Sequence, residues 1–162
     1  PFQYAPIGEA VDEFVVMLYN EHGWPGSPPG PPVSIGWMDR VLRYTISRVP
    51  REKVVAAVSV FGFDFNLTTG RNTYVTYSAA MDLARQYNRE VIFDPETQTP
   101  MFSYTDAEGN DHEVWFENSQ SILAKIRLAW NLGIKGVALW RLGMEDPAIW
   151  TMLRNDVVVR KP

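Results

Sequence analysis

Four side chains close short apolar runs at positions where they could meet a ligand. Tyr19 and Asn20 end the run from Phe14, Phe61 ends the run from Val54, and Trp140 ends the run from Gly136. Aromatic rings offer flat apolar faces that stack on the apolar faces of sugars, while a Tyr hydroxyl or an Asn amide can hydrogen-bond beside them. Rings at strand ends also make ordinary core, so residue type alone leaves both readings open. Trp140 leans toward an open site, because Trp is seldom fully buried and the polar Arg141 follows it.

The other reactive types point to structure. His22 and His112 are far apart without ligand-spaced partners, and the chain has no Cys. The expectation is therefore no metal, no cofactor and no disulfide framework. Glu145 and Asp146 follow Trp140 closely enough to imitate a catalytic carboxylate pair. Ahead of Pro147 they read better as helix-start residues, whose carboxylates meet unpaired backbone N–H groups. Glu117 reads the same way. Asn66-Leu67-Thr68 has the form of a glycosylation acceptor, a three-residue pattern with little information in it.

The elements that must position these residues alternate. The runs Phe14 to Tyr19, Val54 to Phe61 and Gly136 to Trp140 are apolar with little alternation, as suits strands buried on both faces of a parallel sheet. Helical spacing joins Trp37, Val41 and Tyr44, with Met38, Leu42, Thr45 and Val49 beside them, until Pro50. It recurs in Ile122, Leu123, Ile126, Ala129 and Trp130, opened by Asn118 or Ser119 and closed by Gly133. A last helix is expected from Asp146 as cap, with Pro147 in its first turn and Ile149, Trp150 and Leu153 buried. Between the second and third runs the rhythm changes. After a turn at Gly70 to Asn72 come a short helix from Ser78 to Gln86, a strand from Val91 to Phe93, and a hairpin. Its arms run from Met101 to Thr105 and from Glu113 to Phe116. Residues 67–116 therefore read as a small α+β insertion in an α/β repeat. The Pro- and Gly-rich loop from Gly23 to Pro32 reads as the rim of a cleft.

At 162 residues, 46% hydrophobic and 21% charged, the chain has the composition of one folded domain. A net charge of -4 offers no basic face for nucleic acid. The longest apolar run, Val54 to Phe63, falls short of the ~20 residues of a membrane-spanning helix. The opening at Pro1, without Met or a basic leader, reads as a cut inside a longer protein.

Four stretches, in order, resemble glycoside hydrolase family 18, which includes chitinases and spore-cortex N-acetylglucosaminidases. Val15-Val16-Met17-Leu18-Tyr19-Asn20 resembles the sixth barrel strand, continued by Glu21-His22-Gly23 and by Gly30 to Trp37. Pro50 to Val54, running into Phe61-Gly62-Phe63-Asp64-Phe65, resembles the seventh. Val114 to Asn118 with Ser121 and Lys125, followed by Gly133 to Gly143, resembles the last helix pair and the eighth strand. The resemblance implies an α/β fold, the C-terminal part of a (β/α)8 TIM barrel holding strands six to eight, with the insertion between the last two. A whole barrel takes about 250 residues, so more than half would lie outside this chain.

The resemblance also implies a substrate and roles. The substrate would be a β-1,4-linked N-acetylglucosamine polymer, peptidoglycan or chitin, cleaved with the substrate's own N-acetyl carbonyl as nucleophile. Tyr19 would donate to that carbonyl, Asn20 would sit beside the reacting centre, and Trp140 would be the stacking floor. Phe61 and Met17 would line the same pocket, Met17 from one pleat earlier. An exported, cell-wall or spore-associated setting would follow. Three departures matter. The family's D-x-x-D-x-D-x-E motif, source of the general acid, is absent. Phe61 and Phe65 replace the commoner Tyr and Trp, and Asn20 the commoner Asp. The isolated chain is thus expected to lack activity, and the rival reading is a non-catalytic, chitolectin-like sugar binder. A third reading, an interaction module without sugar chemistry, would require a sealed core around Tyr19 and Trp140. Opening a barrel bares strand edges and an inner face assigned to Val16, Val58 and Leu139, so self-association is expected as well.

Overall fold

The computed structural model describes residues 2–158. Three strands, β1 (Phe14–Leu18), β2 (Val54–Ser59) and β8 (Gly136–Trp140), form a parallel sheet in the order β1-β2-β8. Helices α2 (Ile35–Ile46) and α4 (Ser119–Leu132) pack on one side of it, with α5 (Ala148–Asp156) against α4 and α1 (Tyr4–Ala10) at the start of the chain. Between β2 and α4 lies a second, antiparallel sheet. It comprises β3 (Gly62–Asn66), β4 (Asn72–Val75), β5 (Ile92–Asp94), β6 (Thr99–Thr105) and β7 (Asp111–Trp115) in the order β4-β3-β7-β6-β5, and α3 (Tyr77–Gln86) covers one face.

Local chemistry sets the helix limits. Ser34 accepts from the Trp37 amide and opens α2, and Thr76 does the same for α3 through Ala79. Asn118 and Ser121 exchange reciprocal side-chain bonds at the start of α4, and Gly133, at φ 67°, ends it in the left-handed conformation. At α5 the cap position falls on Pro147. The Asp146 carboxylate takes the Ala148 amide with one oxygen and the Ser119 amide with the other, each at 2.9 Å, joining the starts of two helices.

The pleat corrects one expectation. Val16 and Val58 are buried on the helix side of the parallel sheet with Met38, Leu42 and Ile122, and Leu139 packs against the same core. The opposite, helix-free face carries Val15 and Met17, 52% and 69% exposed. Because side chains alternate with period two, an assignment displaced by one residue exchanges the two faces.

The second sheet also begins earlier than the insertion was expected to. β2 stops at Ser59, and the chain turns at Val60 and Phe61 into β3, so antiparallel pairing starts at Gly62. A Cβ on Gly62 would lie 2.3 Å from the Trp115 carbonyl oxygen, and only glycine permits that approach.

Candidate functional site

The register of the parallel sheet builds the site. Ser59 lies opposite Trp140, and Leu18 opposite Val58, so Tyr19, one residue past β1, stands level with both. Neighbouring strands are ~4.8 Å apart, which puts the backbones of Tyr19 and Trp140 ~10 Å from each other. Their rings nevertheless reach a centroid separation of 6.2 Å at an interplanar angle of 14°. The small, fully buried Ser59 between them leaves that space. Trp140 remains 52% exposed and is followed by Arg141 through a cis peptide bond.

Phe61, nearly buried, meets Tyr19 edge-on at 6.4 Å and Phe63 at 5.7 Å. Tyr74 of β4 closes another wall, edge-on to Phe61 at 5.2 Å and 4.6 Å from Phe63. Asn20 sits at the mouth with φ 62°, a left-handed conformation that Asn tolerates better than most residues. With Arg141 and Met144 these side chains line a cavity of about 310 Å³ at the C-terminal ends of the strands. Four of the expected residues, Tyr19, Asn20, Phe61 and Trp140, therefore come together. Met17 shares their face of the sheet but is not in the lining.

The loop after Asn20 is fastened on both sides. Glu21 accepts the Ser34 amide at 2.6 Å and its hydroxyl at 3.0 Å, and His22 Nδ1 donates to the Pro31 carbonyl at 3.0 Å. His22 stacks on Trp24, whose carbonyl accepts from Asn72 at 3.2 Å, so loop and antiparallel sheet form one rim.

No carboxylate is among the cavity-lining residues, and among the described residues no group of three or more His, Asp or Glu is placed to hold a metal. Among the described residues the one wholly buried carboxylate is Glu117, below the start of α4. It accepts from Lys125 Nζ at 2.8 Å and from the Ser121 hydroxyl at 2.6 Å, while its Oε1 has no partner. Burial pushes its carboxyl above the usual range, and Lys125 and Ser121 pull it back. Reading Glu117 as a helix-start residue missed this cluster. The spacing of four between Glu117, Ser121 and Lys125 was its sequence signal. Tyr74, Arg141 and Met144 were missed too, since no local pattern marks residues that reach a cavity from separate elements. A larger groove, about 790 Å³, runs along Ile126, Val137, Leu139 and Trp150 on the helix side of β8 and shares no lining residue with that cavity.

Residues 2–145 match the family model described as "Glycosyl hydrolases family 18". The cortical fragment-lytic enzyme of Bacillus anthracis is 37% identical over 139 residues, covering 83% of this chain and 32% of that protein. The crystal structure of the spore cortex-lytic enzyme SleL of Bacillus cereus superposes with a TM-score of 0.90 at 36% identity, covering 98% of this chain and 37% of that one. A chitinase from Chromobacterium violaceum superposes with a TM-score of 0.89 at 30% identity, covering 98% and 50%. The chain thus spans about a third of the length of the cortical fragment-lytic enzyme it matches.

Proposed function

Because the chain belongs to glycosyl hydrolases family 18, we propose that its three parallel strands are the sixth, seventh and eighth of a (β/α)8 barrel and that the cavity at their ends receives N-acetylglucosamine from a β-1,4-linked polymer, peptidoglycan or chitin. The observation that carries this reading is the Tyr19–Trp140 ring pair, with an open indole face at the strand ends. In the whole protein the reaction would be retaining and substrate-assisted. The Tyr19 hydroxyl would donate to the acetamido carbonyl as its oxygen attacks the anomeric carbon, Asn20 would border the reacting centre, and Trp140 would support the distorted sugar. The antiparallel unit, an insertion subdomain in this reading, adds Tyr74 as a wall. The experiment is an NMR titration of the chain with chitotetraose, using Trp140→Phe to assign the indole N–H signal. Selective movement of that signal is expected, and no movement up to millimolar sugar overturns the reading.

A second reading, non-catalytic sugar binding, is favoured for the isolated chain by the absence of a carboxylate from the cavity lining. General acid catalysis supplies ~10²–10⁴-fold in rate. The chain should therefore bind chito-oligosaccharides without hydrolysing a chromogenic one, and measurable turnover would count against it. Self-association belongs to the same proposal. Val15 and Met17, on the helix-free face of the parallel sheet, are 52% and 69% exposed, an apolar surface that a second copy could cover. Light scattering should detect association at micromolar concentration, and a monomer there would exclude it.

A further inference from the structure

The second histidine sits in a polar array at the tip of the antiparallel sheet, away from the cavity. His112, on β7, has a side chain only 11% exposed. Its Nδ1 is 2.8 Å from Asp64 Oδ1, and its Nε2 is 3.1 Å from Asn66 Nδ2 and 3.3 Å from Asp106 Oδ2. The ring stacks on Tyr104 at 4.5 Å, and Tyr104 stacks on Tyr87 at 4.3 Å. The Tyr104 hydroxyl donates to Asp64 Oδ2 at 2.7 Å, so both oxygens of Asp64 are engaged. The groups facing the imidazole are thus Asp64 and Asn66 from β3 and its turn, Asp106 from the β6–β7 turn, and Tyr104 from β6.

These contacts cannot all be satisfied by one protonation state. Asn66 Oδ1 accepts the amides of Thr68 and Thr69, at 3.1 and 2.8 Å, which directs its Nδ2 donor at the ring. Nε2 can take that bond only as an unprotonated acceptor. Asp106 offers only acceptors, so Nε2 can meet it only as N–H. The neutral tautomer with its proton on Nδ1 satisfies Asp64 and Asn66 and faces Asp106 with a lone pair. The imidazolium satisfies Asp64 and Asp106 and gives up Asn66. Asp106 stays anionic throughout, because hydrogen bonds, chiefly from Asn110, hold its carboxyl down at about 2.

Asp106 and Asn66 each organise a turn. Asp106 Oδ1 accepts the amides of Glu108 and Asn110 at 3.0 and 2.8 Å, and its Oδ2 accepts from Asn110 Nδ2 at 2.8 Å. Asn66 gathers the amides that start the β3–β4 turn. We propose that His112 is a proton-operated latch: protonated, it bridges Asp64 and Asp106 and ties the 106–110 turn to β3, whereas neutral it releases Asp106 and holds Asn66. The residues flanking Asp64 on β3 are Phe63 and Phe65, and Phe63 pairs with Tyr74. The latch therefore acts on the strand that sets one wall of the cavity.

Since His22 and His112 are the two histidines, His22→Gln leaves one imidazole to follow by NMR. Its signal is to be titrated across about pH 5 to 8, together with the Asn66 side-chain N–H₂ signals and exchange of the Glu108 and Asn110 amides, corrected for intrinsic rates. Protection of the two turn amides should be about tenfold higher on the acid side, the size of one charge-assisted hydrogen bond. The Asn66 signal should move with the same midpoint as the ring. In His112→Gln both steps should vanish, and in Asp106→Asn the acid-side gain in turn protection should be lost, because the carboxylate that the second ring N–H would meet is gone. Turn amides and Asn66 that ignore the ring titration, a step that survives in His112→Gln, or an acid-side gain in turn protection that persists in Asp106→Asn would each overturn the latch.

Discussion

Lys125→Met tests the buried pair beneath α4. Lys125 and Glu117 both have side chains at 0% exposure, 2.8 Å apart. Met keeps similar length and helix preference while removing the cation. Deleting one partner of a buried pair costs ~3–5 kcal/mol, because the remaining charge stays desolvated. At ~2–4 °C per kcal/mol for a chain of this size, Tm should fall by about 6–20 °C. Protonation of Glu117 limits the loss. Burial already raises its carboxyl, and losing Lys125 removes the first of the influences that oppose burial. A group whose folded pKa lies above its unfolded value, about 4.3 for Glu, contributes its stability below the unfolded value and loses it as pH rises through the folded one. The Met variant should therefore be weakest near and above neutrality and approach the wild type in acid. Adding Glu117→Gln removes the stranded anion and should recover part of the loss at about pH 7 but little at about pH 4. Urea unfolding of the wild type and both variants at the two pH values reads this directly. A deficit below ~1 kcal/mol, or one unchanged between the two pH values, would refute the reasoning.

Trp140→Ala should weaken chito-oligosaccharide binding by about two- to tenfold in calorimetric titration, the ~0.5–1.5 kcal/mol worth of an aromatic stacking contact, with little change in Tm because the ring is half exposed. Asp146→Ala removes acceptors from the first turns of α4 and α5 together, and a loss of ~1–2 kcal/mol in denaturant unfolding is expected. Gly62→Ala places a methyl against the Trp115 carbonyl and should cost ~1–3 kcal/mol, read as a lower Tm; a wild-type melting curve would show that the β3–β7 approach can relax.

What was legible in the sequence is what short-range chemistry writes down. Asn118 and Gly133 mark the two ends of α4, and Asp106 to Asn110 supply a turn whose arms, β6 and β7, pair as a hairpin. β3 was hidden in plain alternation: Phe63 and Phe65 are buried and Asp64 is partly so, but the preceding apolar run reaches Phe61 and masks the break at Val60. β4 is short and half polar, and α1 has no side-chain cap at Gln3, so neither announces itself. Glu117 shows a different limit. A carboxylate beside a helix start is usually a surface feature, and the spacing of four to Ser121 and Lys125 was the one local sign that this one points inward.

The site was legible residue by residue but not as an arrangement. Tyr19 and Trp140 come from strands that flank β2, so their stacking is a relation across three strands, set by the register Leu18–Val58 and Ser59–Trp140. The same register explains why the face first assigned to Val16, Val58 and Leu139 was the wrong one. Met17 and Tyr19 are two residues apart and share a face, so Val16 must point the other way, and the pairs Val16–Ala56 and Leu18–Val58 carry that direction into β2. In β2, Ala57 and Ser59 then fall on the helix-free face, two small residues where the outer strands place Met17, Tyr19 and Trp140. A larger side chain at Ser59 would occupy the space across which the two rings meet at 6.2 Å. The size of one buried residue on the middle strand thus controls whether the aromatic pair at the strand ends can form.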